Sequence, residues 1–172
     1  LLLPSLLLFT AITPAMSQGD KPATSAQLWN VNAYLNPVTK LHAFCADASC
    51  LNLVKPKGYT GAPVLIGRAV SASMIGSVRA ACPSGSANLR ELGSVWNAAA
   101  YMFNIKPLPY KPSGLLQGWV AISEGACGAT KPIKKWKSKN NADLMYGVDL
   151  ESDPIYAGNV QEGGQVQFWM WD

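Results

Sequence analysis

Four cysteines, Cys45, Cys50, Cys82 and Cys127, constrain this chain more than any other feature. In a protein of an oxidising compartment, an even count reads as two disulfides, with three possible pairings. Cys45 and Cys50 enclose only Ala-Asp-Ala-Ser, a loop that can bridge across a turn, which favours Cys45–Cys50 with Cys82–Cys127. The longer bridge is expected to contribute about 3 to 4 kcal/mol by restricting the unfolded chain, and the short one much less. A zinc site built from four cysteines normally uses two close pairs, and here one pair is close, so disulfides are preferred.

The start of the chain supports the same compartment. Residues 1–12 read Leu-Leu-Leu-Pro-Ser-Leu-Leu-Leu-Phe-Thr-Ala-Ile, and small residues follow at Ala15 and Ser17. That pattern predicts a signal peptide over 1–17, with Ala15 and Ser17 at the −3 and −1 sites of the peptidase. The chain opens on Leu1 rather than Met, and the basic n-region of such a leader is expected to precede it. The apolar run is too short for a membrane span and is broken by Pro4 and Pro14, so no transmembrane segment is expected after cleavage. Export to the periplasm or beyond the cell is the expectation, with 18–27 a flexible lead-in and 28–172 a single globular domain.

Composition narrows the fold. Hydrophobic residues make up 49% and charged residues 14%, which excludes disorder over most of the chain. Fifteen Gly and twelve Pro argue for many turns and for more strand than helix. Trp29, Val31, Ala33 and Leu35 alternate with polar neighbours and predict a strand ended by Pro37. Residues 40–54 are expected to hold a second strand region around the small disulfide loop. Val64, Leu65 and Ile66 suit a buried strand, whereas 68–79 scores equally as helix or as strand. Further strands are expected over 115–123, 145–150 and 165–171, and an extended proline-rich connector over 107–114.

The strongest helical signal lies at 88–105. Asn88 suits an N-cap and Glu91 the third helical position. Leu89, Leu92, Val95, Trp96, Ala99, Met102 and Phe103 then recur at three- and four-residue steps until Pro107. The expectation is therefore an α+β domain: a mostly antiparallel sheet packed on one main amphipathic helix at 88–105, with two disulfides.

Residues that carry chemistry are sparse. His42 is the sole histidine, which excludes multi-histidine zinc sites; no Gly-x-Ser-x-Gly turn accompanies it, and its apolar neighbours suit a strand position. It remains a catalytic candidate together with Glu124 and Asp149. Glu124 follows a predicted strand and precedes a Gly-rich turn, from which an acid can face a cleft. A second acid from Asp143, Asp149, Glu151 or Asp153 would complete a carboxylate pair; Glu162 is a further acid nearby. Asp149, Glu151 and Asp153 alternate like the start of a calcium loop, but Pro154 and Val160 stand where Gly and Glu are required. A phosphate-binding loop and an N-glycosylation sequon are both missing from the sequence, and neither a metal nor a cofactor is implied.

The most function-like segment is basic. Residues 131–139 hold five lysines and no acid, and Lys134, Lys135, Lys137 and Lys139 surround Trp136. As an exposed loop it is expected to bind an anionic surface or polymer by charge, with Trp136 as apolar foothold. The net charge of +4 is too small to indicate nucleic-acid recognition. The leading expectation is a non-enzymatic exported binding protein, acting on such a surface or on a protein partner. The alternatives are a small secreted hydrolase using carboxylates, and a carbohydrate-binding module using Trp169 and Trp171 on one strand face.

Overall fold

A computed structural model describes residues 19–97, 100–105, 115–154, 156, 158–161 and 163–172. The leader at 1–17, the connector at 107–114 and Glu162 lie outside the described residues. Strand β1 (Leu28–Leu35) buries Val31 and Ala33 through its alternation and pairs with β2 (His42–Cys45) on one side and β3 (Val64–Val70) on the other. Helix α1 (Ala48–Val54) starts on Asp47, whose carboxylate accepts the Cys50 N–H at 2.8 Å. Helix α2 (Ile75–Ala81) follows β3, so the segment that read equally as helix or strand divides into one of each.

The remaining strands are β4 (Leu89–Asn97), β5 (Ala100–Ile105), β6 (Leu115–Ala121), β7 (Lys131–Lys137), β8 (Leu144–Gly147) and β9 (Gln165–Met170). All pair antiparallel in one sheet of order β2-β1-β3-β6-β9-β7-β8, from which the β4–β5 hairpin branches along β6. Phe44 of β2 meets Phe103 of β5 and Tyr146 of β8 with ring centroids 4.9 and 5.0 Å apart. The two ends of the sheet thus curl toward each other over a shared core.

Successive residues on the central strands enter different cores. Val120 joins a cluster with Val31, Phe44, Leu92 and Phe168, whereas Trp119 and Ala121 join another with Leu89, Val78 of α2 and the Cys82–Cys127 bridge. Along β9, Phe168 and Met170 enter the first cluster and Trp169 and Trp171 the second. Both disulfides form as expected, with Cα separations of 5.4 Å for Cys45–Cys50 and 5.7 Å for Cys82–Cys127. The first straps the end of β2 to α1, and the second fastens the end of α2 to the turn of 3-10 helix at Ala126–Gly128.

The architecture is α+β with a dominant antiparallel sheet, but the helix expected at 88–105 is the β4–β5 hairpin. Leu89 and Leu92 are both fully buried, and they lie in different clusters. Burial on both strand faces produces a three-residue spacing that imitates one helix face. Gly93 disfavours a helix, and β-branched Val95 and aromatic Phe103 favour the extended form. The lead-in is also tied down rather than loose. The Lys21 N–H donates to the Ala81 carbonyl at 2.8 Å, the Ala23 N–H donates to the Cys127 carbonyl at 2.9 Å, and the Asp20 carboxylate accepts the N–H groups of Ser84 and Gly85.

Candidate functional site

The basic segment 131–137 is strand β7, hydrogen-bonded to β9 on one side and β8 on the other, not an open loop. A register shift at Ile133/Lys134 accompanies burial of Ile133 in the main core and of Trp136 in a small cluster with Met145, Leu150 and Val160. Trp136 is 3% exposed, so it gives an anionic surface no apolar foothold. Its indole N–H is buried and unpartnered among the described residues. Lys134 and Lys135 are half-buried, and Lys137 and Lys139 are exposed.

β7 delivers Asp143 instead. Past Lys137 the chain turns, Ser138 N–H donates to the Asp143 carbonyl at 3.1 Å, and Asn141 Oδ1 accepts the Asp143 N–H at 3.0 Å. This turn places the buried Asp143 carboxylate against the start of β2. Its Oδ1 accepts the His42 backbone N–H at 2.9 Å and its Oδ2 lies 2.6 Å from His42 Nδ1. An ionised carboxylate only accepts, so the pairing has Nδ1–H donate to it and leaves Nε2 as the other ring nitrogen.

Two adjoining cavities, about 690 and 320 Å³, share a wall made by Ala33, His42, Val64, Met145 and Tyr156. Such volumes fit small organic ligands. The larger cavity is apolar on the Leu35, Ala62 and Val64 side and carries Asn140, Asn141 and Asn159 at its rim. The Tyr156 ring lies 5.8 Å from the imidazole. Burial pushes the Tyr156 phenol up from its ordinary range, and the charges of Asp153 and then Asp143 add to the shift. The same order holds for Tyr59, where burial leads and Asp143 follows. Both tyrosines therefore stay neutral hydrogen-bond donors.

The turn preceding β2 is rigidly built. Asn36 Oδ1 accepts the N–H groups of Val38 and Thr39 at 2.9 and 3.1 Å, and Lys40 is held at φ 60°, in the left-handed region that a lysine rarely adopts. Lys40 lines the larger cavity two residues from His42, and its carbonyl accepts from Asn141 Nδ2 at 3.4 Å. Strained backbone beside a cleft often accompanies a functional site.

The other expected site residues are scattered. Asp149 is exposed and lines the smaller cavity with Asp153, whereas Glu124 sits exposed on the turn after β6 and lines neither. Trp171 is buried and its indole N–H donates to the Cys127 carbonyl at 2.9 Å, so it forms no flat sugar-stacking row with Trp169. Sequence reasoning flagged both His42 and Asp143, but nothing in the sequence joins residues 101 positions apart. Lys40 and Tyr156 carried no signal. No helix among the described residues is long and apolar enough to cross a membrane. Comparison of this chain with protein-family models, with curated proteins and with solved structures returns no match.

Proposed function

We propose that this is an exported protein that binds a small, largely apolar molecule in the cleft around His42. The observation that carries the reading is the meeting of two cavities at His42 and Tyr156, where an imidazole is held by a buried carboxylate in an otherwise apolar wall. Export is supported by the leader-like residues 1–17 and by two disulfides, which suit an oxidising compartment. Binding to an anionic surface through 131–139 keeps its lysines but loses Trp136, and rests on weak exposed charges alone.

The test is titration with the neutral fluorophore N-phenyl-1-naphthylamine. The expected result is saturable enhancement with the mature chain, abolished in Val64→Trp, whose indole fills the shared wall. A variant with Lys134, Lys135, Lys137 and Lys139 all changed to Gln should bind as wild type does. Equal binding by Val64→Trp, or loss confined to the lysine variant, would move the site away from the cleft.

A further inference from the structure

We infer that the cleft hydrolyses uncharged carboxylic esters of apolar acyl chains, with His42 as general base; this rests on the binding reading above. The geometry supplies the parts. Asp143 fixes the tautomer by holding Nδ1–H at 2.6 Å, and it fixes the β2 backbone at the same position by accepting the His42 N–H. The His42 side chain is only 10% exposed, and it lines both cavities. Leu35, Val64 and Met145 offer an acyl chain an apolar wall beside it. Tyr156 shares that wall and carries a hydroxyl donor. An anionic phosphoryl group would meet the Asp143 charge behind the imidazole, which favours a neutral ester.

In the proposed step a water molecule attacks the ester carbonyl carbon while Nε2 takes its proton. The carbonyl π pair moves to oxygen, and the Tyr156 hydroxyl donates a hydrogen bond to that oxyanion. The intermediate then re-forms C=O, the C–O bond to the alcohol breaks, and the proton on Nε2 passes to the leaving alkoxide. The products are one carboxylic acid and one alcohol, and the imidazole is restored. Asp143 touches no reacting atom and is a positioning residue.

Because His42 is the only histidine, it can be tested chemically as well as by mutation. Diethyl pyrocarbonate should add one imidazole carbethoxy group per chain, in step with loss of p-nitrophenyl butyrate hydrolysis. Hydroxylamine should restore activity, and N-phenyl-1-naphthylamine should slow the modification. His42→Gln should lower kcat by about 100-fold or more while KM and fluorophore binding stay within about twofold. Asp143→Asn should lower kcat at least about 10-fold with KM kept, through loss of the tautomer lock. Near-ultraviolet ellipticity confirms that each variant is folded, and the carbethoxylation arm needs no variant. Turnover no faster than equimolar free imidazole, in a chain that binds the fluorophore, overturns the catalytic assignment alone. Failure of wild type to bind the fluorophore overturns the binding reading beneath it.

Discussion

The fully buried Gln117 accepts, at Oε1, the backbone N–H of half-buried Ala46 at 2.7 Å, joining residues 71 positions apart. Its Nε2 donates to Ser94 Oγ at 2.9 Å and approaches Cys50 Sγ at 3.3 Å. Next to it, Gly118 takes φ 115° where a Cβ would come 2.7 Å from the Val70 carbonyl oxygen, so β6 bends there without a side chain. Gln117 is the residue at which the β4–β6 register shifts, and its amide replaces the ladder contacts that the bulge removes.

Gln117→Leu keeps the volume and removes every one of those side-chain bonds. The half-buried Ala46 N–H then loses its acceptor and the buried Ser94 hydroxyl its donor, which costs about 1 to 3 kcal/mol. Urea unfolding should show a lower midpoint with an unchanged slope. A midpoint within error of wild type would mean that water reaches Ala46.

The two disulfides should differ in weight. Cys82–Cys127 closes a loop of sequence separation 45 and Cys45–Cys50 one of 5. Chain entropy predicts losses of about 3 to 4 kcal/mol for the Cys82→Ala/Cys127→Ala pair and about 2 kcal/mol for Cys45→Ala/Cys50→Ala. Comparison of denaturation midpoints orders them directly. The reverse order would show that packing around Cys50, against the Phe44 carbonyl and Gln117, outweighs loop length.

What the sequence disclosed follows from where burial is one-sided. β1 was legible because Val31 and Ala33 face one core while Asn30 and Asn32 do not. β4 and β7 were not, because their two faces enter different clusters. Leu89 with Leu92, and Ile133 with Trp136, are therefore buried at a three-residue spacing that no single strand face produces. The pairing of cysteines was readable from local spacing. The pairing of His42 with Asp143 was not, since it depends on how the sheet closes.

Alkaline pH gives a further check. Tyr146 packs between Phe44 and Phe103, and burial pushes its phenol up to about 12 although the Phe103 N–H donates to its oxygen at 3.2 Å. The folded state thus favours the neutral phenol more than the unfolded chain does, whose tyrosine ionises near 10. Stability from this group is complete below pH 10 and is lost as pH rises from 10 through 12. At about 1.4 kcal/mol per pH unit the full loss approaches about 3 kcal/mol. Tyr146→Phe lacks the group, so the stability gap between wild type and variant should shrink steadily from pH 10 to about 12 in urea titrations, the range set by the two ionisations. A gap independent of pH would place the Tyr146 hydroxyl in contact with solvent.

Gly164 tests how tightly the third cluster is closed. A Cβ built there would press on Trp136 Cε2 and lie 2.5 Å from Cδ2, far inside van der Waals contact with the indole. Trp136 cannot retreat, because Met145, Leu150 and Val160 fill the space behind it. Gly164→Ala should therefore destabilise by about 1 to 3 kcal/mol through overpacking. The same change at Gly158, where a Cβ meets nothing within 4 Å, should be silent or slightly stabilising by restricting the unfolded chain. Trp136 fluorescence is the second readout: displacement toward water should red-shift emission in Gly164→Ala and leave Gly158→Ala unchanged, with Trp136→Phe identifying its share of the signal. Equal stability and equal spectra for both variants would mean that residue 164 does not cover the indole in solution.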